Sequence, residues 1–122
     1  MRMWMVDPKI LCTKHLLGEH VEIHMFVGTI KKGKSLRGYV DNNLVEPGCF
    51  VTRHNDLVRE HISRGGIHKS SLNLNEVIDL VDTLERDIRE NNVDSKKSLQ
   101  ELLFRCPRCK ERFDSLYASE FR

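Results

Sequence analysis

The chain has 122 residues, 39% of them apolar and 31% charged, with a formal net charge of +2; this is enough chain for one globular core and too little for two. No apolar run approaches the roughly 20 residues that span a bilayer, and no signal-peptide pattern, repeat or low-complexity tract is present, so a membrane protein is excluded and a cytoplasmic monomer is expected. The charge is uneven: seven basic against three acidic residues over 1–40, four against eight over 76–104, and five against three over the last eighteen, which fits either a positive face toward a polyanion or a mottled surface.

In chain order, Asp7 as a cap and Pro8 in the first turn predict a helix. Its apolar positions, Leu11, Leu16, Leu17, Val21 and Ile23, run to about Val27. Gly28, Gly33 and Gly38 then space a basic loop, "GTIKKGKSLRG", and residues 38–50 read as irregular because of Pro47 and Gly48. A second helix fits "TRHNDLVREHISRGG", capped at Thr52 and ended by Gly65–Gly66. A third, about Asn75 to Glu90, follows a capping-box spacing of Asn73 and Glu76 and carries Val77, Ile78, Val81, Leu84 and Ile88 at helical intervals. A fourth runs from Asp94 to about Phe104 and stops before Pro107. With no alternating strand pattern anywhere, the prediction is an all-α, compact single domain over residues 1–122. It has three to four helices, a long irregular basic loop and a cysteine-containing basic tail from 105 to 122.

The densest chemistry is "HLLGEHVEIH", His15 to His24. His15 and Glu22, seven apart, share one helix face with Glu19 between them, whereas His20 and His24 lie four apart on a neighbouring face. Histidines at that spacing chelate zinc in metalloproteases, but there a glutamate comes directly after the first histidine; here the position is Val21, and no third ligand is specified. Solvated imidazoles are the plain alternative. "RCPRC" supplies Cys106 and Cys109, one half of a structural zinc site, which Cys12 or Cys49 would have to complete. Ordinary thiols are the rival reading, and disulfides are disfavoured in a reducing cytoplasm. The loop "KKGKSLRG" suits phosphate contact through Lys31, Lys32, Lys34 and Arg37, yet it lacks the spacing and preceding strand of a P-loop.

An early arginine, His15–Leu16, Glu19 and Glu22, then "RHNDLVREHISRG", together resemble the pyrimidine-dimer DNA glycosylase family; a looser likeness extends over Leu99 to Pro107. The resemblance implies a DNA repair glycosylase with abasic-site lyase activity, acting on damaged duplex DNA without metal or organic cofactor. In such enzymes the N-terminal α-amine attacks C1′ of the damaged nucleotide and a glutamate of the first helix assists, which implies Met1 as nucleophile and Glu22 as its partner. Arg2 is too large for ordinary methionine excision, so Met1 is expected to be retained. An α-amine of pKa about 7.7–8.0 is far more often unprotonated near neutrality than a lysine at about 10.4. By the same resemblance Arg2 holds a phosphate, His15 either orients Glu22 or contacts the DNA backbone, and Arg53 and His54 at the head of the second matching helix are further contacts; the basic loop adds Lys31, Lys32, Lys34 and Arg37, and the tail Lys110. Where the family's first helix carries arginines, this chain has Val21 and Met25, and its tail differs as well. Both departures bear on which lesion is recognised. A non-catalytic helical DNA-binding protein, and a metal-dependent nuclease using His20, His24 or the cysteines, are the alternatives.

Overall fold

The first six residues run through the interior. In the computed structural model, which describes residues 1–118, Met3, Trp4 and Val6 are buried. The Met3 N–H donates to the Leu44 carbonyl at 2.7 Å. A 3₁₀ turn at Pro8–Ile10, capped by the Asp7 carboxylate on the Lys9 N–H, leads into α1, Thr13–Lys31. Next come α2 (Arg37–Asp41), a second 3₁₀ turn (Pro47–Cys49), α3 (Phe50–Ser63), α4 (Leu74–Asp82), α5 (Arg86–Arg89), α6 (Ser95–Arg105) and α7 (Pro107–Tyr117). No strand occurs among the described residues, so the all-α expectation holds. Residues 119–122 of the basic tail lie outside the described residues.

The central element is α1. Leu16, Ile23, Phe26, Val27 and Ile30 turn one side of it inward, against α3 and α4. Phe26 stacks on Phe50 of α3 with centroids 6.0 Å apart and meets Tyr39 of α2 edge-on at 5.0 Å. The last helix, α7, packs on α6 and on the Pro8–Ile10 turn, so the chain's two ends meet on one side of α1.

Several boundaries differ from the sequence reading. Pro8 starts the 3₁₀ turn instead of the long helix, which begins five residues later with Cys12 at its N-cap. The basic loop is shorter than expected, because α1 runs on through Lys31 and Arg37 opens α2. The expected third helix is broken after Asp82, where the Thr83 hydroxyl donates to the Leu80 carbonyl at 2.6 Å and α5 resumes at Arg86. Pro107, expected as a stop, occupies the first turn of α7, where its missing N–H costs nothing. The capping signal of Asn73 holds, its side chain accepting from the Glu76 N–H at 3.0 Å, and Asp94, expected as the first residue of the fourth helix, is the cap of α6.

Candidate active site

A cleft of about 610 Å³ opens between the amino terminus, the first half of α1 and the end of α6, with Met1, Arg2, His15, Glu22, Lys14 and Arg105 among its walls. The Met1 nitrogen lies 3.9 Å from Glu22 Oε1, and the two groups are 16% and 29% exposed. The next residues of the chain hold the amine there. Arg2 donates to Glu101 Oε2 at 2.7 Å and to the Ser98 hydroxyl at 2.9 Å, while its guanidinium lies 3.8 Å over the Trp4 ring. Ser98 in turn donates to the Trp4 carbonyl at 2.5 Å. With Met3 locked into the core behind it, the terminus has little freedom to leave Glu22.

Burial raises the Glu22 pKa above its usual value; the Met1 ammonium, the Arg2 backbone N–H and the Arg2 side chain oppose that rise, and nearby Glu19 adds to it. A carboxyl so placed can hold or return a proton closer to neutrality than a solvated one. The pKa of His15 is pushed down by burial first and then by Lys14 and Arg105. Both of these cations line the cleft, and no pattern in the sequence singles them out.

Of the residues expected to act, Met1, Arg2, His15 and Glu22 are brought together. Others are not. Arg53 and His54 are 5% and 2% exposed, which corrects their assignment as DNA contacts. Arg53 instead grips Glu19 with both arms, Nε to Oε2 at 2.5 Å and Nη2 to Oε1 at 2.9 Å, and donates a third bond to the Val6 carbonyl at 2.6 Å. Lys31 pairs with Glu76, Arg37 bridges Glu85 and Asp87 at 3.0 and 2.5 Å, and Lys110 pairs with Asp114 at 2.6 Å. Lys32 and Lys34 are exposed. None of these five cations borders the cleft.

Two side-chain clusters flank the site. Cys12, His15, Cys106 and Cys109 place one donor atom each within 4.8 Å of one another and could bind a metal. Cys49 is not among them. It sits at the Pro47–Cys49 turn, where burial and a hydrogen bond with Glu46 push its thiol up to about 11. On the other side of α1, His20 and His24 meet His54 and His68, with ring centroids 4.6–5.2 Å apart. His24 and His54 each bring Nε2 to 3.2 Å from the Ser70 carbonyl. Burial and the three neighbouring imidazoles lower the pKa of His20 to about 4. No local pattern marks this group, because His54 and His68 belong to segments distant from His20.

A family model described as pyrimidine dimer DNA glycosylase matches residues 1–74, the stretch that carries Met1, Arg2, His15, Glu19, Glu22 and Arg53. No curated protein and no solved structure matches the chain.

Proposed function

Because the chain belongs to the pyrimidine dimer DNA glycosylase family, we propose that it excises damaged pyrimidines from duplex DNA and then cleaves the strand through an imine on the Met1 α-amine. The single observation that carries this reading is the Met1 nitrogen 3.9 Å from Glu22 in an open cleft.

The chemistry rests on the two groups. The unprotonated amine attacks C1′, the bond from C1′ to the base breaks, and the base leaves with a proton. Opening of the sugar ring converts the adduct to an imine. A base then removes a C2′ proton, the C3′–O bond breaks, and the 3′ phosphate departs. Glu22 beside the amine stabilises the cationic character that develops at C1′, and it is placed to take and return protons in the later steps. Its raised pKa suits that exchange near neutral pH. No step calls for a metal or an organic cofactor.

Lys14 and Arg105 at the cleft wall supply positive charge for the phosphates flanking the reacting sugar. A stacked base cannot reach the amine inside an intact duplex, so binding must kink the DNA or extrude a nucleotide. Damaged or mismatched pairs yield most readily to that distortion, which favours lesions before any specific contact is made.

The test is borohydride trapping on duplexes carrying a cyclobutane dimer, an abasic site or a modified base, with the adduct mapped by mass spectrometry. The expected adduct lies on the first peptide, beginning at Met1. A cross-link to an internal lysine, or undiminished strand cleavage by a chain extended by one residue before Met1, would overturn the assignment.

A further inference from the structure

We propose that Cys12, His15, Cys106 and Cys109 hold one zinc ion that clasps the two ends of the chain together beside the cleft. The inference goes beyond the strand-cleavage chemistry, which uses none of the three thiols.

The geometry matches a tetrahedral ion. Bonds of about 2.3 Å to sulfur and about 2.0–2.1 Å to nitrogen give tetrahedron edges of about 3.8 Å between sulfurs and about 3.6 Å between sulfur and nitrogen. Cys12 Sγ lies 3.8 Å from Cys106 Sγ, Cys109 Sγ lies 3.7 Å from His15 Nδ1, and Cys12 Sγ lies 3.2 Å from the same nitrogen. The ligands come as two short chelating pairs, residues 12 and 15 and residues 106 and 109, each with two residues between its members. That is the spacing by which a helix start presents two donors to one ion.

Backbone groups near the helix starts face the sulfurs. Cys12 stands at the N-cap position of the 19-residue α1 without a side-chain capping bond, and Cys106 caps the 11-residue α7 with its sulfur, so both sulfurs belong to helix starts, where negative charge is favoured. Backbone N–H groups are aimed at the sulfurs as well: Cys12 donates to Cys109 Sγ at 3.2 Å and Cys109 to Cys106 Sγ at 3.4 Å. Such bonds orient and stabilise metal-bound thiolates. Three thiolates around a dication leave one net negative charge, and Lys14 and Arg105 lie close enough to act on His15 electrostatically. Cys12, Cys106 and Cys109 are buried, so the ion would be closed off as in a structural site, with no position open for catalysis.

The consequence reaches the cleft. His15 lines it, and binding through Nδ1 would fix that ring and leave Nε2 to carry the proton. Cys106 and Cys109 lie beyond the residues that match the family model. The helix α7 would thus steady the start of α1 at His15, seven residues before Glu22.

The experiment measures metal, independently of DNA cleavage. Full-length protein purified in the presence of zinc should contain about one zinc per chain and show free thiols by mass spectrometry. Cobalt exchanged into it should give the intense absorption of a tetrahedral thiolate site. Cys109→Ser should lower zinc content several-fold, His15→Cys should retain it, and Cys49→Ser should leave it unchanged. Zinc-free protein should exchange amide hydrogens faster in α7 and in the Pro8–Ile10 turn, with protection restored by zinc. If Cys109→Ser does not fold, cobalt absorption of the unaltered chain still decides the matter. A weak octahedral cobalt spectrum, zinc well below one per chain, or a disulfide joining any two of the three cysteines in freshly purified protein would each overturn the proposal.

Discussion

The Met1 nitrogen stands 3.9 Å from Glu22 Oε1, an approach imposed from both sides. On one side Arg2 is pinned to Ser98 and Glu101 of α6; on the other, α1 is anchored through the buried pair of Glu19 and Arg53. In the proposed reaction the amine and the carboxylate would therefore be aligned before DNA arrives, which saves the ordering that would otherwise fall on the reaction itself.

Replacing Glu22 by Gln keeps the shape and removes the charge and the proton exchange. Strand cleavage at an abasic site should fall by about 10²–10⁴-fold, the usual worth of a positioned acid or base. DNA affinity should change little. Single-turnover cleavage alongside equilibrium binding separates the two, and a variant that cleaves at the original rate would remove Glu22 from the mechanism.

Arg53 and Glu19 form a buried, bidentate pair. Removing one partner strands the other's charge, so Arg53→Met should cost about 3–5 kcal/mol of stability. The double substitution Glu19→Leu with Arg53→Met should cost clearly less than Arg53→Met alone, because no unpaired charge remains. Denaturant unfolding of Glu19→Leu, Arg53→Met and the double variant measures the difference. Additive losses would mean that the ion pair itself contributes nothing.

Val21 and Met25 are 53% and 50% exposed on α1, at the positions where the resembling family carries arginines, and Val21 adjoins Glu22 in sequence. Arginine at either position should change stability by no more than about 0.5 kcal/mol. If DNA passes over this face, each arginine should tighten binding and steepen the salt dependence by about one unit of slope. Binding curves at several salt concentrations report both effects; unchanged slopes would place the DNA elsewhere.

Acid should loosen the side of α1 that carries His20. Its folded pKa of about 4 lies below the ordinary 6.5, so between those values the unfolded chain takes up a proton that the folded chain refuses. Stability is therefore fully present above pH 6.5 and is lost progressively as pH falls toward 4. His24, also lowered by burial and by His54, acts in the same direction. Glu22, whose pKa is raised, acts oppositely across the carboxylate range. Comparison with His20→Gln isolates the imidazole: the variant's melting temperature should depend less steeply on pH between 6.5 and 4.

How much the sequence discloses depends on the range of its signals. Helix faces with apolar residues at regular spacing, and a cap such as Asn73, declare themselves within one turn, and the structure has them. That His15 and Glu22 share a face follows from their helical spacing, whereas the place of Met1 and Arg2 beside them is legible only through family likeness. Glu19 reads as part of a polar helix face because nothing local announces that Arg53, 34 residues on, will enclose it. The break after Asp82 has no proline or glycine to mark it. Cys106 and Cys109 suggest half of a metal site, but His15 as a companion requires the contact of α7 with the start of α1, which only folding creates.

Arg2 reaches residues 98 and 101, and Met3 is sealed beneath Leu44 and Glu46. Residues 2 and 3 are thus fixed by contacts that only later segments supply. Until roughly a hundred residues have been made, the amine lacks the α6 clamp on Arg2 and the part of the cleft wall formed by Glu101 and Arg105. Contacts of such long sequence separation close late and slowly. A fragment that stops before α6 would carry the Met1 amine and Glu22 without the clamp that joins them, so the arrangement proposed for cleavage would form only once α6 has been made.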